Sequence, residues 1–193
     1  MMSMSRHEDD NLEIDYKSMR EPIWKPEERF VLSPGHVMVP EDKMAVAAIV
    51  GSSVVVTMFD KKLKRGGLCH FVRPWPKGDQ KATPVFGFPA TVALLSSFVK
   101  LGSSHDNLVA GVYGGAWPDW ASAPEREISR TNVEVARDVL HKKNIMILDM
   151  DVGGDRGRKI IYSTGNNDIA IVKTDKVRRT DWYPVLPQLE GTL

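Results

Sequence analysis

The strongest constraint on the fold is an uncharged run from Met44 to Phe59, set between Lys43 and Asp60 and broken in its middle by Gly51-Ser52-Ser53. As a single helix it is short for crossing a bilayer. Its β-branched residues, concentrated in Val46–Val50 and Val54–Thr57, suit buried core strands instead. The run therefore predicts a strand at about 44–50, a turn or bulge at Gly51–Ser53, and a second strand over 54–59.

The rest of the 193 residues reads as one domain with tails. With 26 basic and 25 acidic side chains the net charge is +1, which argues against nucleic-acid binding, since that needs a strongly basic surface. The single cysteine excludes an intramolecular disulfide framework and a cysteine-rich zinc site. Residues 1–10 lack the apolar stretch of a secretory signal and carry acids, so a cytoplasmic protein without membrane insertion is expected. Residues 1–34 are polar, contain Pro22, Pro26 and Pro34, and hold five basic and eight acidic residues within the first thirty. They read as an acidic extension in which Ile23-Trp24 and Phe30-Val31-Leu32 are the segments able to dock. The folded domain is expected over 35–174, with a surface tail over 175–193.

Within that domain, residues 60–67 form a charged turn and 68–72 a strand, followed by a loop rich in proline and glycine. Val92, Leu94, Leu95, Phe98, Val99 and Leu101 recur at helical intervals before Gly102, predicting a helix over 88–101. A second helix is expected over 132–143, where Thr131-Asn-Val-Glu134 has capping-box spacing and Lys142-Lys143 suit the C-terminal dipole. Strands at about 108–113, 145–149, 158–163 and 168–173 complete an α+β domain.

For chemistry, Cys69 and His70 are adjacent, but successive side chains of a strand point to opposite faces, so a regular strand cannot hold them together. Cys69 is read as a small core hydrophobe. His70 follows Gly66-Gly67 and lies 17 residues after Ser53. Taken alone, it reads first as a hydrogen-bonded strand histidine and only second as a catalytic one.

The run Val50-Gly-Ser-Ser-Val-Val-Val-Thr-Met-Phe-Asp60 followed by Gly66-Gly-Leu-Cys-His-Phe-Val-Arg-Pro74 resembles the CheD chemoreceptor glutamine deamidases, whose pattern is Gly-Ser-Cys-Val-Ala-Val, an Asp, then Gly-Gly-X-X-His-X-X-Leu-Pro. The similarity continues in order through Val112-Tyr-Gly-Gly-Ala116, Ile128-Ser-Arg-Thr-Asn-Val133 and Asp151-Val-Gly-Gly-Asp-Arg-Gly-Arg158, covering roughly 36–174. It implies a compact α/β/β layered sandwich. It also implies a papain-like amidase: a thiolate attacks the glutamine side-chain amide, a histidine manages the proton, a hydroxyl residue orients the histidine, and backbone N–H groups stabilise the oxyanion.

On this resemblance His70 matches the catalytic histidine and Ser53 stands at the cysteine position, while the orienting threonine falls on Ala47 or Ala48. Gly51, Ser52, Gly115 and Trp117 are the expected substrate-binding positions, with no metal and no cofactor. Further departures are Phe86-Gly-Phe88 for a Tyr-X-Asp motif, Ser129 for a glycine, Thr131 for an arginine, and Arg73 for an apolar residue. Trp117 and Trp120 serve either a partner contact or the domain's own core. The implied partners are chemoreceptor cytoplasmic helices and a CheC-type phosphatase. The expected function is a catalytically impaired CheD-like chemotaxis protein acting by binding. Its alternatives are an active Ser53/His70 deamidase and a cysteine enzyme deliberately silenced by serine.

Overall fold

A computed structural model of the chain describes residues 30–175, 177, 178, 182 and 183. Most of the expected N-terminal extension, with Ile23-Trp24, and the tail after Tyr183 lie outside the described residues.

The two halves of the Met44–Phe59 run become β3 (Ala45–Val50) and β4 (Val54–Asp60), and every residue of β4 is buried. They join different sheets, so the Gly51–Ser53 turn carries the chain from one layer to the next. A four-stranded sheet, in the order β1-β3-β8-β9, adds β1 (Phe30–Val31), β8 (Gly157–Ser163) and β9 (Ile169–Thr174). A five-stranded sheet, in the order β2-β5-β4-β6-β7, adds β2 (His36–Met38), β5 (Arg65–Phe71), β6 (Leu108–Gly114) and β7 (Met146–Val152). Each sheet is mixed: β1 runs parallel to β3 and β6 parallel to β7, and the remaining neighbours are antiparallel.

Strand alternation gives the five-stranded sheet two different faces. Val54, Val56, Met58, Cys69 and Phe71 meet Leu94, Leu95 and Phe98 of α1 (Gly87–Lys100) and Val133, Ala136 and Leu140 of α2 (Ala123–Lys142). Val55, Leu68 and Tyr113 turn the other way, onto Val46, Ala48 and Val50 of β3 and Ile160 and Tyr162 of β8. The layers are thus helices, five-stranded sheet and four-stranded sheet, the expected α/β/β arrangement.

The β4–β5 hairpin starts its second strand three residues earlier than expected, because one carboxylate oxygen of Asp60 accepts the N–H groups of Lys62 and Leu63, each at 2.8 Å, and closes the turn tightly. Helix α2 begins at Ala123, well before the expected start at 132. Ser122-Ala-Pro-Glu125 is itself a capping box with proline in the first turn, and the Ser122 N–H donates to Glu125 at 2.8 Å. Thr131, expected as the cap, instead donates its hydroxyl to the Glu127 carbonyl inside the helix, at 2.8 Å. Among the described residues no helix is long and apolar enough to cross a membrane.

Candidate active site

Ser53 closes the inter-sheet turn two residues before Val55, so it shares the face of β4 that looks toward the four-stranded sheet. His70 stands opposite Val55 in the β4–β5 register and emerges on that same face. Their meeting follows from register: Ser53 Oγ lies 2.9 Å from His70 Nε2. Both residues are 1% exposed.

The other ring nitrogen, Nδ1, lies 3.1 Å from the carbonyl oxygen of Leu32. A carbonyl can only accept, so Nδ1 carries the proton, and Nε2 is left as the acceptor for the Ser53 hydroxyl. Leu32 is positioned by the pairing of β1 with β3 and by donation of its own N–H to the Ala47 carbonyl, at 2.8 Å. Ala47 and Ala48 carry no hydroxyl, yet His70 is oriented all the same, by a main-chain carbonyl from a segment expected to precede the folded domain. Phe30-Val31-Leu32 was the available signal, as an apolar triplet able to dock.

Cys69, one residue away, packs on the helix side. Burial pushes its thiol up to about 12, so it is neither placed nor ionised for attack.

The turn bearing Ser53 is held by all three of its carbonyls. The Gly115 N–H donates to Ser53 and the Ala116 N–H to Gly51, each at 2.9 Å. The Asn132 side-chain amide donates to the Ser52 carbonyl at 3.0 Å and to the Val72 carbonyl at 3.2 Å, tying the turn to the end of the strand that carries His70. Gly114 has φ of +117°, and a Cβ there would fall 2.2 Å from the Ser53 carbonyl oxygen, so the Gly-Gly-Ala segment has to be glycine to clamp this closely. Asn132 was absent from the expected site residues, although the Ile128–Val133 motif contains it.

Behind the clamp, Arg158 is 2% exposed and donates to Asp151 and to the Gly153 carbonyl, each at 2.8 Å. Burial would raise the Asp151 carboxyl, but Arg158 and Lys173 outweigh it and hold the group below the usual carboxylate range. The Gly153 N–H reaches the Gly114 carbonyl, and the Trp117 N–H reaches Gly154, each at 2.9 Å. Ser53, His70, Gly51, Ser52 and Gly115 are therefore brought together, and Trp117 joins the cluster through its main chain.

The surface tail expected over 175–193 is corrected at Trp182, which is 4% exposed. Its carbonyl accepts the Ser52 N–H at 3.2 Å and also the Ser52 hydroxyl. Trp120 packs edge-on against Trp182 and Tyr183, at 6.3 and 6.1 Å between ring centres, so its contacts are with the chain's own C-terminal segment. Among the described residues no three or more His, Cys, Asp or Glu side chains group as a metal site requires. A cavity of about 550 Å³ lies elsewhere, lined by His105, His141 and Met146 among others, and neither Ser53 nor His70 borders it.

The sequence model of the family described as CheD chemotactic sensory transduction matches residues 73–173, just over half of the chain. The chain is also 34% identical over 146 residues to the probable chemoreceptor glutamine deamidase CheD of Trichlorobacter lovleyi, spanning 76% of this chain and 91% of that one. The chain belongs to the CheD family. Two further CheD relatives carry the same description, those of Methanococcus vannielii, 29% identical over 75% of this chain and 94% of theirs, and Anaeromyxobacter dehalogenans (its CheD 1), 34% identical over 68% and 76%. The segment matched by the CheD model contains the clamp at Gly114–Ala116, Asn132 and Arg158, and it begins three residues after His70.

Proposed function

We propose that this CheD-family chain recognises glutamine-bearing cytoplasmic helices of chemoreceptors through the Ser53–His70 site, deamidates them poorly, and acts mainly by binding. The observation that carries this reading is the 2.9 Å contact between a serine hydroxyl and an imidazole acceptor at the position where the CheD motif has a cysteine. A cysteine has a free pKa of ~8.5 and attacks as a thiolate with modest help. A serine must lose its proton to the histidine during attack, which leaves positive charge on the ring. The Leu32 carbonyl fixes the tautomer but is neutral and does not offset that charge as a carboxylate would. A CheC-type phosphatase is the second partner this reading proposes, and the cytoplasm the compartment.

The Leu32 bond also favours a second reading, an active serine deamidase. There Ser53 Oγ attacks the amide carbon as its proton passes to His70 Nε2. The imidazolium returns the proton to the leaving nitrogen, which departs as ammonia. Water then cleaves the acyl ester to give glutamate and regenerate the hydroxyl.

Titrating the protein with receptor-helix peptides while following ammonia separates the two. Saturable binding with at most slow, far sub-stoichiometric ammonia release is expected. Rapid, multiple-turnover conversion of glutamine to glutamate that disappears in Ser53→Ala and His70→Ala would establish the second reading, and failure to bind any receptor helix would sink the assignment of partner.

A further inference from the structure

The residue next to Ser53 gives both of its hydrogen-bond donors to the chain itself. The Ser52 N–H and hydroxyl both go to the Trp182 carbonyl, an amide oxygen of the kind that an incoming peptide would present. Gly51 is shaped for the same contact. A Cβ on Gly51 would fall 2.6 Å from the Trp182 ring and 2.8 Å from its Cα, and the three nearest atoms all belong to Trp182. Gly51 is not among the positive-φ glycines, so close approach of Trp182, and not backbone conformation, is what excludes a side chain there. The flanks are fixed as well: Trp120 packs edge-on against Trp182 and Tyr183, and the Tyr183 hydroxyl lies 3.3 Å from Ser129 Oγ in the second turn of α2. Beneath this segment Ser53 and His70 are 1% exposed.

We propose that the C-terminal segment at Trp182–Tyr183 is an intramolecular strap that occupies the Gly51–Ser53 turn and competes with a glutamine-bearing peptide for it. This deepens the reading of Ser53 and His70 as the reactive pair and rests on it. A tethered competitor acts at high effective concentration, so it sets a threshold that a weak peptide fails to cross. The apparent affinity of any incoming peptide falls by the fraction of molecules in which the strap is open. A partner that pulls the strap away would activate binding without touching Ser53.

Alkylation of the full-length Ser53→Cys variant by iodoacetamide, followed by mass spectrometry, reads access to the site without requiring deamidation. Slow labelling is expected, accelerated roughly tenfold or more by adding Trp182→Ala or Gly51→Ala, since opening frequency sets the rate. Cys69, buried in the helix-side core, stays unlabelled in any variant that remains folded. Equal rates with and without those substitutions would overturn the strap. If one substitution exposes Cys69, the other decides. Hydrogen exchange of the Ser52 amide in the unsubstituted protein gives a separate readout: protection is expected, and exchange at the rate of an open peptide would also overturn the proposal. Should the strap open as expected while receptor peptides still fail to bind or react, the strap stands and the deamidase-site reading falls.

Discussion

Cys69 and His70 are consecutive residues of one strand, yet they belong to two regions of different chemistry. On the helix side, Cys69 sits among Val54, Val56, Phe71 and Phe98, where burial outweighs the hydrogen bonds of the Val56 main chain and the Thr91 side chain and pushes the thiol up to about 12. On the inter-sheet side, His70 finds a carbonyl acceptor and a hydroxyl donor within hydrogen-bond distance although it is buried equally deeply. Burial by itself therefore does not mark a reactive residue. What differs is whether chain crossings bring polar partners to that face. The inter-sheet face receives the Gly51–Ser53 turn and Leu32, both at points where the chain enters or leaves a sheet, whereas the helix face around Cys69 is covered mainly by apolar side chains of α1 and α2, with the Thr91 hydroxyl the polar group that α1 brings to the thiol.

If the helix face serves only packing, its residues should control stability most strongly. Phe71→Ala removes a fully buried ring from that core and is expected to cost about 4 kcal/mol, read from the midpoint of urea unfolding. Asp151→Asn tests the support behind the polar face. It leaves the buried Arg158 without its charged partner, at an expected cost of about 3 kcal/mol. The same carboxyl sets a pH dependence. Burial opposes its ionisation, but Arg158 and Lys173 lower its pKa on balance, and Asp60 is lowered in the same way against its own burial by hydrogen bonds from Ser103, Leu63 and Lys62. Groups lowered on folding contribute stability above the unfolded carboxylate pKa of ~4, and that contribution is lost as pH falls through the lower folded values. Acid unfolding should therefore be shallower in Asp151→Asn than in the parent.

Asn132→Ala is expected to cost about 2 kcal/mol by releasing the carbonyls of Ser52 and Val72, and to loosen the 2.9 Å Ser53–His70 contact, seen as a changed imidazole nitrogen shift. The smallest effect belongs to Cys69→Ala, about 1 kcal/mol, with no change in peptide binding or conversion. A large functional loss there would erase the distinction between the two faces.

The sequence showed α1 and all the described strands except the short β1 and β2 within a few residues because their apolar periodicities are strong, and alternation alone separated Cys69 from His70. The start of α2 was misplaced because two capping boxes stand nine residues apart, and propensity cannot say which one the tertiary fold uses. The Ser53–His70 pair was legible through motif spacing. Leu32 and Trp182 were not, since one acts through a main-chain carbonyl and the other arrives from a tail whose contact depends on the absence of a side chain at Gly51. Main-chain roles of this kind leave little trace in residue identity.

The most direct test is mass spectrometry of chemoreceptor helix peptides incubated with the Ser53→Cys variant in a Cys69→Ala background, beside the unsubstituted protein. The account predicts that glutamine converts to glutamate at least a hundredfold faster in the variant, because the thiol is placed on the face that carries His70 while the native cysteine is dispensable. No conversion by the variant in either its strapped form or with Trp182→Ala added, or conversion by the unsubstituted protein that is lost on Cys69→Ala alone, would contradict it.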